Sequence, residues 1–427
     1  MNILFISQTN DGYHLATHLA DDGNNVRYWV KEPVFKVVGQ GRKNPLPVTS
    51  YQPHIGWADM VMFDMVGMGK EADRIRKTGK PVIGAGEIAD KIELDREFGQ
   101  EIMQQVGTKN NYVDIAPFKT FSSIREGVAY LKKEKAPYVF KALNNKDDIW
   151  TFVAKETNDG LIEYMESLKQ KSFPFLLQQQ VKGIEISTEG WHDGFKFIPQ
   201  FNHTIEKKRL MNGNIGQNTG CQGSVAWVCE EDEIVKSALL PIESILTKHN
   251  YQGPVDVNCI VTEDKLYFLE FTARNGYCAI ENLWHLIEGD KTGFFYDIAR
   301  GKPKEVDFSG DYSMAVVLSF PPYPADDKEK LKQIAGMKVL DMTRADSENI
   351  WLHDVMWNEK KEPVLAGAIG YIGAVVDTGK TVGQASAKAY KTIEDITLMK
   401  EVAYRTDISE GVEDNIKTLG KWGWIDG

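Results

Sequence analysis

A chain of 427 residues is longer than one hydrophobic core ordinarily supports, so two to four domains are expected. Its 42% apolar and 26% charged composition is that of a globular protein in water. The excess of 61 acidic over 50 basic residues (net −11) argues against a general nucleic-acid binder but leaves room for a local basic pocket. Cys221, Cys229, Cys259 and Cys278 form no CxxC pair; they read as reduced thiols of a cytoplasmic protein, not as a zinc site. Met1-Asn2-Ile3-Leu4-Phe5-Ile6 lacks a basic leader and reads as a buried strand, and no apolar run reaches membrane-spanning length.

In chain order, strands are expected at 2–7, 25–30, 60–65 and 80–83, with helices at 13–21 and 71–78 and a turn at Thr9-Asn10-Asp11-Gly12. This alternation predicts a small parallel α/β unit over 1–90. A helix is expected at 93–106. Residues 117–182 read as a compact subdomain: helix 121–133, strands 138–142 and 150–154, helix 157–170, strand 175–179. From 184 the pattern is β-rich (185–191, 195–201, 255–261, 265–272), interrupted by a helix at 232–249. The last two strands, joined by Thr262-Glu263-Asp264, read as a hairpin. Past a polar boundary at 307–310 come strands 313–319 and 369–376 and a helix at 381–400.

The stretch from Glu206 to Gly276 carries the chemistry. It holds a basic cluster, Glu206-Lys207-Lys208-Arg209, and a loop, Gln217-Asn218-Thr219-Gly220-Cys221-Gln222-Gly223. It closes on Leu269-Glu270-Phe271-Thr272-Ala273-Arg274-Asn275-Gly276. Cations that neutralise phosphate, a loop that offers N–H groups and a carboxylate able to hold a metal are the parts of a phosphate-handling site. A carboxylate on the apolar strand around Glu270 is costly to bury unless paired or metal-bound.

Laid out this way, the chain resembles the glycinamide ribonucleotide synthetases (phosphoribosylamine–glycine ligases) of the ATP-grasp superfamily. Three features carry the resemblance: Lys208-Arg209 followed after eight residues by Asn218-Thr219-Gly220; the segment Glu270 to Gly276; and Tyr404-Arg405-Thr406-Asp407-Ile408 near the end. It implies an α/β (α+β core) ATP-grasp fold: a Rossmann-like domain over 1–90, a core from 91–116 and 183–305, a mobile lid over 117–182 and a C-terminal α/β domain over 306–427. It also implies ATP with Mg²⁺ (or Mn²⁺), small-molecule amine and carboxylate substrates, a place in purine biosynthesis, and a monomer or homodimer. In such a ligase ATP phosphorylates a carboxylate and an amine displaces the phosphate from the acyl phosphate.

Carried over residue by residue, the resemblance puts Lys141 on the ATP phosphates, against an ordinary solvated strand-end lysine. It puts Arg96 where the family has a lysine, against a helix-surface ion pair. Gln178, Gln179 and Gln180 fall on the adenine hinge, against an edge strand of solvated glutamines. Glu185 falls near ribose or metal, against a plain lysine partner. Glu270 is the metal carboxylate, with Thr272 where the family has asparagine and Asn258 on the facing strand as a further ligand. Arg274 matches the arginine on the transferring phosphate. Lys208, Arg209, Asn218, Thr219 and Gly220 form the substrate side, and Gly12 is what is left of the N-terminal glycine motif. His14, His18, His203 and His285 read as structural or surface residues.

Three departures stand out. The lid loop 144–150 has no glycine. Tyr277-Cys278-Ala279 replaces Asp-Pro-Glu. The N-terminal motif is reduced to Asn10-Asp11-Gly12-Tyr13-His14, with no Gly-Pro-Glu turn near Met65-Val66-Gly67. The amine and carboxylate stay open, beside two alternatives: a non-catalytic nucleotide binder, or a kinase using the same grasp.

Overall fold

A computed structural model describes residues 1–110, 112–143, 149, 151–344 and 347–426, the side chains of 108–110 excepted. The glycine-free loop expected at 144–150 therefore lies outside the described residues, save Ile149.

The N-terminal unit is a five-stranded parallel sheet in the order Leu46–Pro47, Asn25–Val30, Asn2–Ser7, Met60–Phe63, Val82–Ile83. Ile3, Leu4, Phe5 and Ile6 are all buried, as a central strand covered on both faces requires. The turn at 9–12 follows this strand and leads into helix Tyr13–Asp21.

The helix expected at 93–106 is two helices, Glu87–Leu94 and Arg96–Asn110. Asp95 separates them with extended backbone, and its carboxylate accepts the Phe98 N–H at 3.1 Å. An aspartate in a helical stretch competes for backbone donors and starts a helix. Arg96 is thereby the first residue of the second helix.

Residues 118–123 form a strand because Ser172–Gln179 pairs with them, so the helix expected at 121–133 is confined to Ile124–Leu131. With Tyr138–Ala142 and Phe152–Val153 they make a four-stranded antiparallel sheet. This unit packs on its own apolar cluster, with Phe140, Phe175 and Leu177 fully buried.

The largest sheet has nine strands, in the order Ile350–Leu352, Tyr371–Gly379, Tyr312–Ser319, Gly223–Cys229, Phe197–Glu206, Ile184–Asp193, Gln252–Val261, Leu266–Thr272, Val113–Ile115. Only the last pairing is parallel. The expected hairpin forms the pair Gln252–Val261 and Leu266–Thr272. Gly223–Cys229, absent from the sequence reading, pairs with Tyr312–Ser319 and carries the sheet unbroken past residue 306. The helix expected at 232–249 is a π-turn at Val235–Leu239, a 3₁₀ turn at Leu240–Ile242 and an α-helix only at Glu243–Lys248. Pro241 has no N–H to give, so the regular ladder cannot pass it.

Candidate active site

A cleft of about 480 Å³ opens between the four-stranded sheet and the nine-stranded one. Ten of the residues named above line it: Lys141, Gln178, Gln179 and Gln180 from one side; Arg96, Glu185, Lys208, Arg209, Asn218 and Glu270 from the other. Its size suits a nucleotide-sized ligand.

Lys141 is held by its neighbour across the sheet. Its Nζ donates to Gln178 Oε1 (3.1 Å), and Gln178 Nε2 donates to the Ala116 carbonyl (3.3 Å). Gln178 is buried with its amide engaged at both ends, so it orients Lys141. Burial pushes the Lys141 ammonium down to about 8; Glu270 opposes this and Arg96 reinforces it. Gln179 and Gln180 anchor the strand exit, their N–H groups donating to Pro117 and Pro137 carbonyls (2.8 and 2.9 Å). The Gln180 Oε1 atom is buried in this wall without a hydrogen-bond donor.

Glu270 stands opposite Asn258 in the sheet, and the register slips between Asn258 and Cys259. The extra residue, Leu269, breaks the alternation, so that Leu269 and Glu270 both face the cleft. Glu270 is therefore not sunk in an apolar strand, as its sequence context suggested: its side chain is 45% exposed, with Arg96 3.8 Å away. Burial would raise its pKa, but Lys208, Arg96, Lys141 and Arg274 outweigh that and hold it below the usual range.

Lys208 knits the floor. Its Nζ lies 2.8 Å from Glu185 and 3.6 Å from Glu206 and donates to Asn258 Oδ1 (3.4 Å). Burial disfavours its charge, yet Glu185, Glu206 and Glu270 hold it well above the ordinary lysine range. Asn258 Oδ1 also accepts from Ser187 (2.7 Å), while its amide donates to Asp256 (2.8 Å) and Thr272 (3.5 Å). Asn258 and Thr272 thus back Glu270 with their polar atoms already engaged.

The eight-residue spacing between Arg209 and Asn218 is a hairpin. The two residues pair across Arg209–Met211 and Ile215–Asn218. Arg209 donates to the Gly216 carbonyl (2.9 Å), and Thr219 closes the turn on the Lys208 carbonyl (3.1 Å). The Tyr-Arg-Thr-Asp-Ile segment holds this hairpin from outside. Buried Arg405 donates to the Arg209 carbonyl (2.8 Å), to Asn214 Oδ1 (3.0 Å) and to both oxygens of Asp407 (2.7 Å each).

Residues 95–279 match the phosphoribosylglycinamide synthetase ATP-grasp (A) domain. Phosphoribosylamine–glycine ligase of Helicobacter pylori is 24% identical over 357 residues, spanning 80% of this chain and 79% of that protein. That of Leifsonia xyli is 26% identical over 364 residues, spanning 81% and 84%. The crystal structure of phosphoribosylamine–glycine ligase from Thermotoga maritima superposes with a TM-score of 0.69 at 19% identity, covering 95% of this chain and 100% of that one. The chain thus has an ATP-grasp fold and is similar over most of its length to the phosphoribosylamine–glycine ligases. The fold extends to a biotin carboxylase from Campylobacter jejuni, with a TM-score of 0.60 at 13% identity over 98% of this chain.

Four of the other residues lie off the cleft in this ATP-grasp frame. Arg274 is bonded to Glu93 (2.9 Å), which also accepts the Ala273 N–H (2.7 Å), and lies over the Tyr277 ring at 5.1 Å. Thr219 accepts from Gln222 (2.8 Å). Gly220 lets the Tyr277 ring lie against its backbone, since a Cβ there would sit 2.9 Å from it. Gly12 sits in the N-terminal unit, its N–H donating to Asp64 (2.6 Å). Glu206 and Arg405 were missed as site residues. Glu206 was legible, standing beside Lys208 in the basic cluster; the hold of Arg405 on the hairpin, 196 residues away, was not.

His203 is buried, not a surface residue. Its ring contacts Asp232 (2.6 Å) and Thr188 (2.9 Å), and with Cys229 it forms the one group of three His/Cys/Asp/Glu donors able to gather a metal ion among the described residues. Three positions before Glu206 on the same strand, it faces away from the cleft.

Proposed function

We propose that this chain is an ATP-dependent carboxylate–amine ligase that works through an acyl phosphate. What supports the reading above all is one juxtaposition: Lys141 from one sheet, Glu270 from the other and Lys208 just past the end of strand Phe197–Glu206, meeting in one nucleotide-sized cleft. Relatives of this sequence are named for ligation of phosphoribosylamine to glycine. The chain divides, in this reading, into the N-terminal unit 1–90, the core 91–116 with 183–305, the lid 117–182 and the C-terminal domain 306–427. No helix among the described residues is long and apolar enough to cross a membrane.

The residues fit the groups such a ligase uses. The unpartnered Gln180 Oε1 suits the exocyclic amine of a purine. Lys141 and Arg96 bring positive charge to where phosphates would lie, and Lys208 stabilises charge that develops on the transferring group. Glu270, kept ionised and open to the cleft, would hold Mg²⁺, with Asn258 beside it. The metal, when bound, supplies Lewis-acid stabilisation of the phosphoryl oxygens. Buried Gln178 keeps Lys141 extended, and the Arg209 hairpin walls the acceptor side.

The test is a thermal shift with ATP and Mg²⁺, followed by phosphate release with and without amines. A shift plus amine-dependent release is expected. No shift points to a binding module without this nucleotide chemistry, and ADP formation that needs no amine points to a kinase. Glu270→Ala should lower ATP turnover by about 10²–10³-fold or more; unchanged turnover removes the metal assignment.

A further inference from the structure

Beyond Arg274 lies a second group of polar residues, brought together from three distant parts of the chain. Asp11 comes from the turn after the first strand, Tyr277 and Glu281 from the segment after the Glu270 strand, and His353 from the C-terminal region. We propose that this group binds the acceptor substrate, and that the acceptor carries an ammonium group and no phosphate; this rests on the ligase reading above.

Asp11 is the centre. Its charge acts on Tyr277, Arg274, Asp64, Glu281 and His353. That charge, and then burial, holds the Tyr277 phenol well above its usual range. Asp64 approaches through the Gly12 N–H (2.6 Å), and Glu281 lies 3.2 Å from His14. His14 and His353 rings stand 6.0 Å apart.

The second observation is a set of unmet hydrogen bonds. Both ring nitrogens of His353 lack a partner although the residue is 1% exposed. Asp64 Oδ1, Glu281 Oε2 and His14 Nδ1 are equally buried and unpartnered. A buried polar group without a partner costs about 1–3 kcal/mol. Several such atoms on residues grouped around Asp11 mark a place where a polar ligand supplies the missing bonds.

Charge decides the ligand class. Asp11, Asp64 and Glu281 are carboxyl groups. Asp354 nearby is already satisfied by the N–H groups of Ala368, Ile369 and Gly370. Burial holds both His14 and His353 below their usual range, so the imidazoles are neutral. The one cation among the leading charges on these groups is Arg274, and its guanidinium is bonded to Glu93. Asp64 and Glu281 are largely protonated near neutrality, so a phosphate placed here would face the Asp11 charge with no cation in hand, whereas an ammonium group would be matched by it.

In the step this group serves, the ammonium gives a proton to one of the carboxylates. The freed nitrogen lone pair forms the C–N bond to the acyl carbon. The C–O bond to the phosphate breaks and the phosphate leaves with that electron pair, taking up the second proton that the nitrogen sheds as the amide forms, while the first proton passes to solvent. Burial raises Asp64 to about 7 and Glu281 to about 8, a range in which a carboxylate can take up a proton and release it again.

A matched pair of amines tests the proposal on the full chain. Ethanolamine and O-phosphoethanolamine, with glycine, 1,4-diaminobutane and glucosamine 6-phosphate, are compared in phosphate release from ATP·Mg²⁺ across a panel of amino acids as carboxylates. Each amine is also titrated into the ATP-loaded protein by calorimetry. The unphosphorylated amines should bind and support release, and Asp11→Asn should weaken them at least tenfold while keeping the ATP-induced thermal shift. Binding or turnover confined to the phosphorylated amines, binding of no amine at all, or an Asp11→Asn variant with unaltered amine affinity overturns the proposal. Loss of the ATP shift in the unmodified protein would instead remove the ligase reading.

Discussion

At Lys141, burial and neighbouring charge pull against each other. The side chain is desolvated between two sheets, which pushes its pKa down to about 8, while Glu270 restrains the fall. A lysine so placed is a cation at neutral pH but loses its charge as pH rises through 8. If it serves the phosphates, kcat/KM for ATP should fall above about pH 8. Lys141→Arg should show a lower maximum with that alkaline fall removed, because a guanidinium stays protonated throughout this range. A pH–rate profile on both proteins checks it; an identical alkaline limb in the arginine variant would detach Lys141 from the nucleotide. The residue itself was legible in the sequence as a strand-end lysine. Its support was not: Gln178 looked like an adenine contact, and only the fold shows its amide spent on Lys141 and Ala116.

Single elements show where local reading succeeds and fails. The hairpin ending at Thr272 was written in the alternation of its side chains, but the slip that turns Leu269 and Glu270 to one side belongs to the pairing of two strands. The stretch 232–249 has helical spacing, yet Pro241 divides it, and its start is fixed from elsewhere. Asp232 accepts the Val235 N–H (3.0 Å) with one oxygen and holds His203 with the other (2.6 Å). Burial disfavours the His203 cation, but Cys229 and Asp232 outweigh burial and raise its pKa to about 10. Because the folded value lies above the unfolded one, this stabilisation is complete below about pH 6.5 and is lost as pH rises toward 10. Urea unfolding at a series of pH values should show that decline. Asp232→Ala should cost about 3–5 kcal/mol near neutrality and flatten the slope. A variant with unchanged pH dependence would show that the pair adds nothing.

Across the whole molecule, the nine-stranded sheet makes the C-terminal region part of the site's foundation, through the pairing of Tyr312–Ser319 with Gly223–Cys229. Arg405 extends that dependence to the cleft wall, since it grips the hairpin bearing Arg209 and Asn218. Arg405→Ala should leave the ATP-induced thermal shift in place. It should weaken hydrogen-exchange protection over 209–218 and lower amine-dependent turnover by about 10- to 100-fold, as a misplaced wall would. Undisturbed exchange in that hairpin would mean that Arg405 supports the fold elsewhere. The N-terminal unit is tied in through aromatic packing: Trp351 is fully buried and stacks on His18 at 3.8 Å.

The sequence by itself determined the α/β class, the parallel N-terminal unit and the hairpin before Arg274, and its family resemblance pointed to charged residues that line the cleft. Those features rest on periodicities and motifs contained within a few tens of residues. Tertiary structure alone decided which charges face one another. Lys208 among Glu185, Glu206 and Asn258, Arg274 on Glu93, and Asp11 beside Tyr277 and His353 are contacts between distant segments. Charge and hydrogen-bond demand are local properties of a residue, but whether they are met depends on what the folded chain places within a few ångströms.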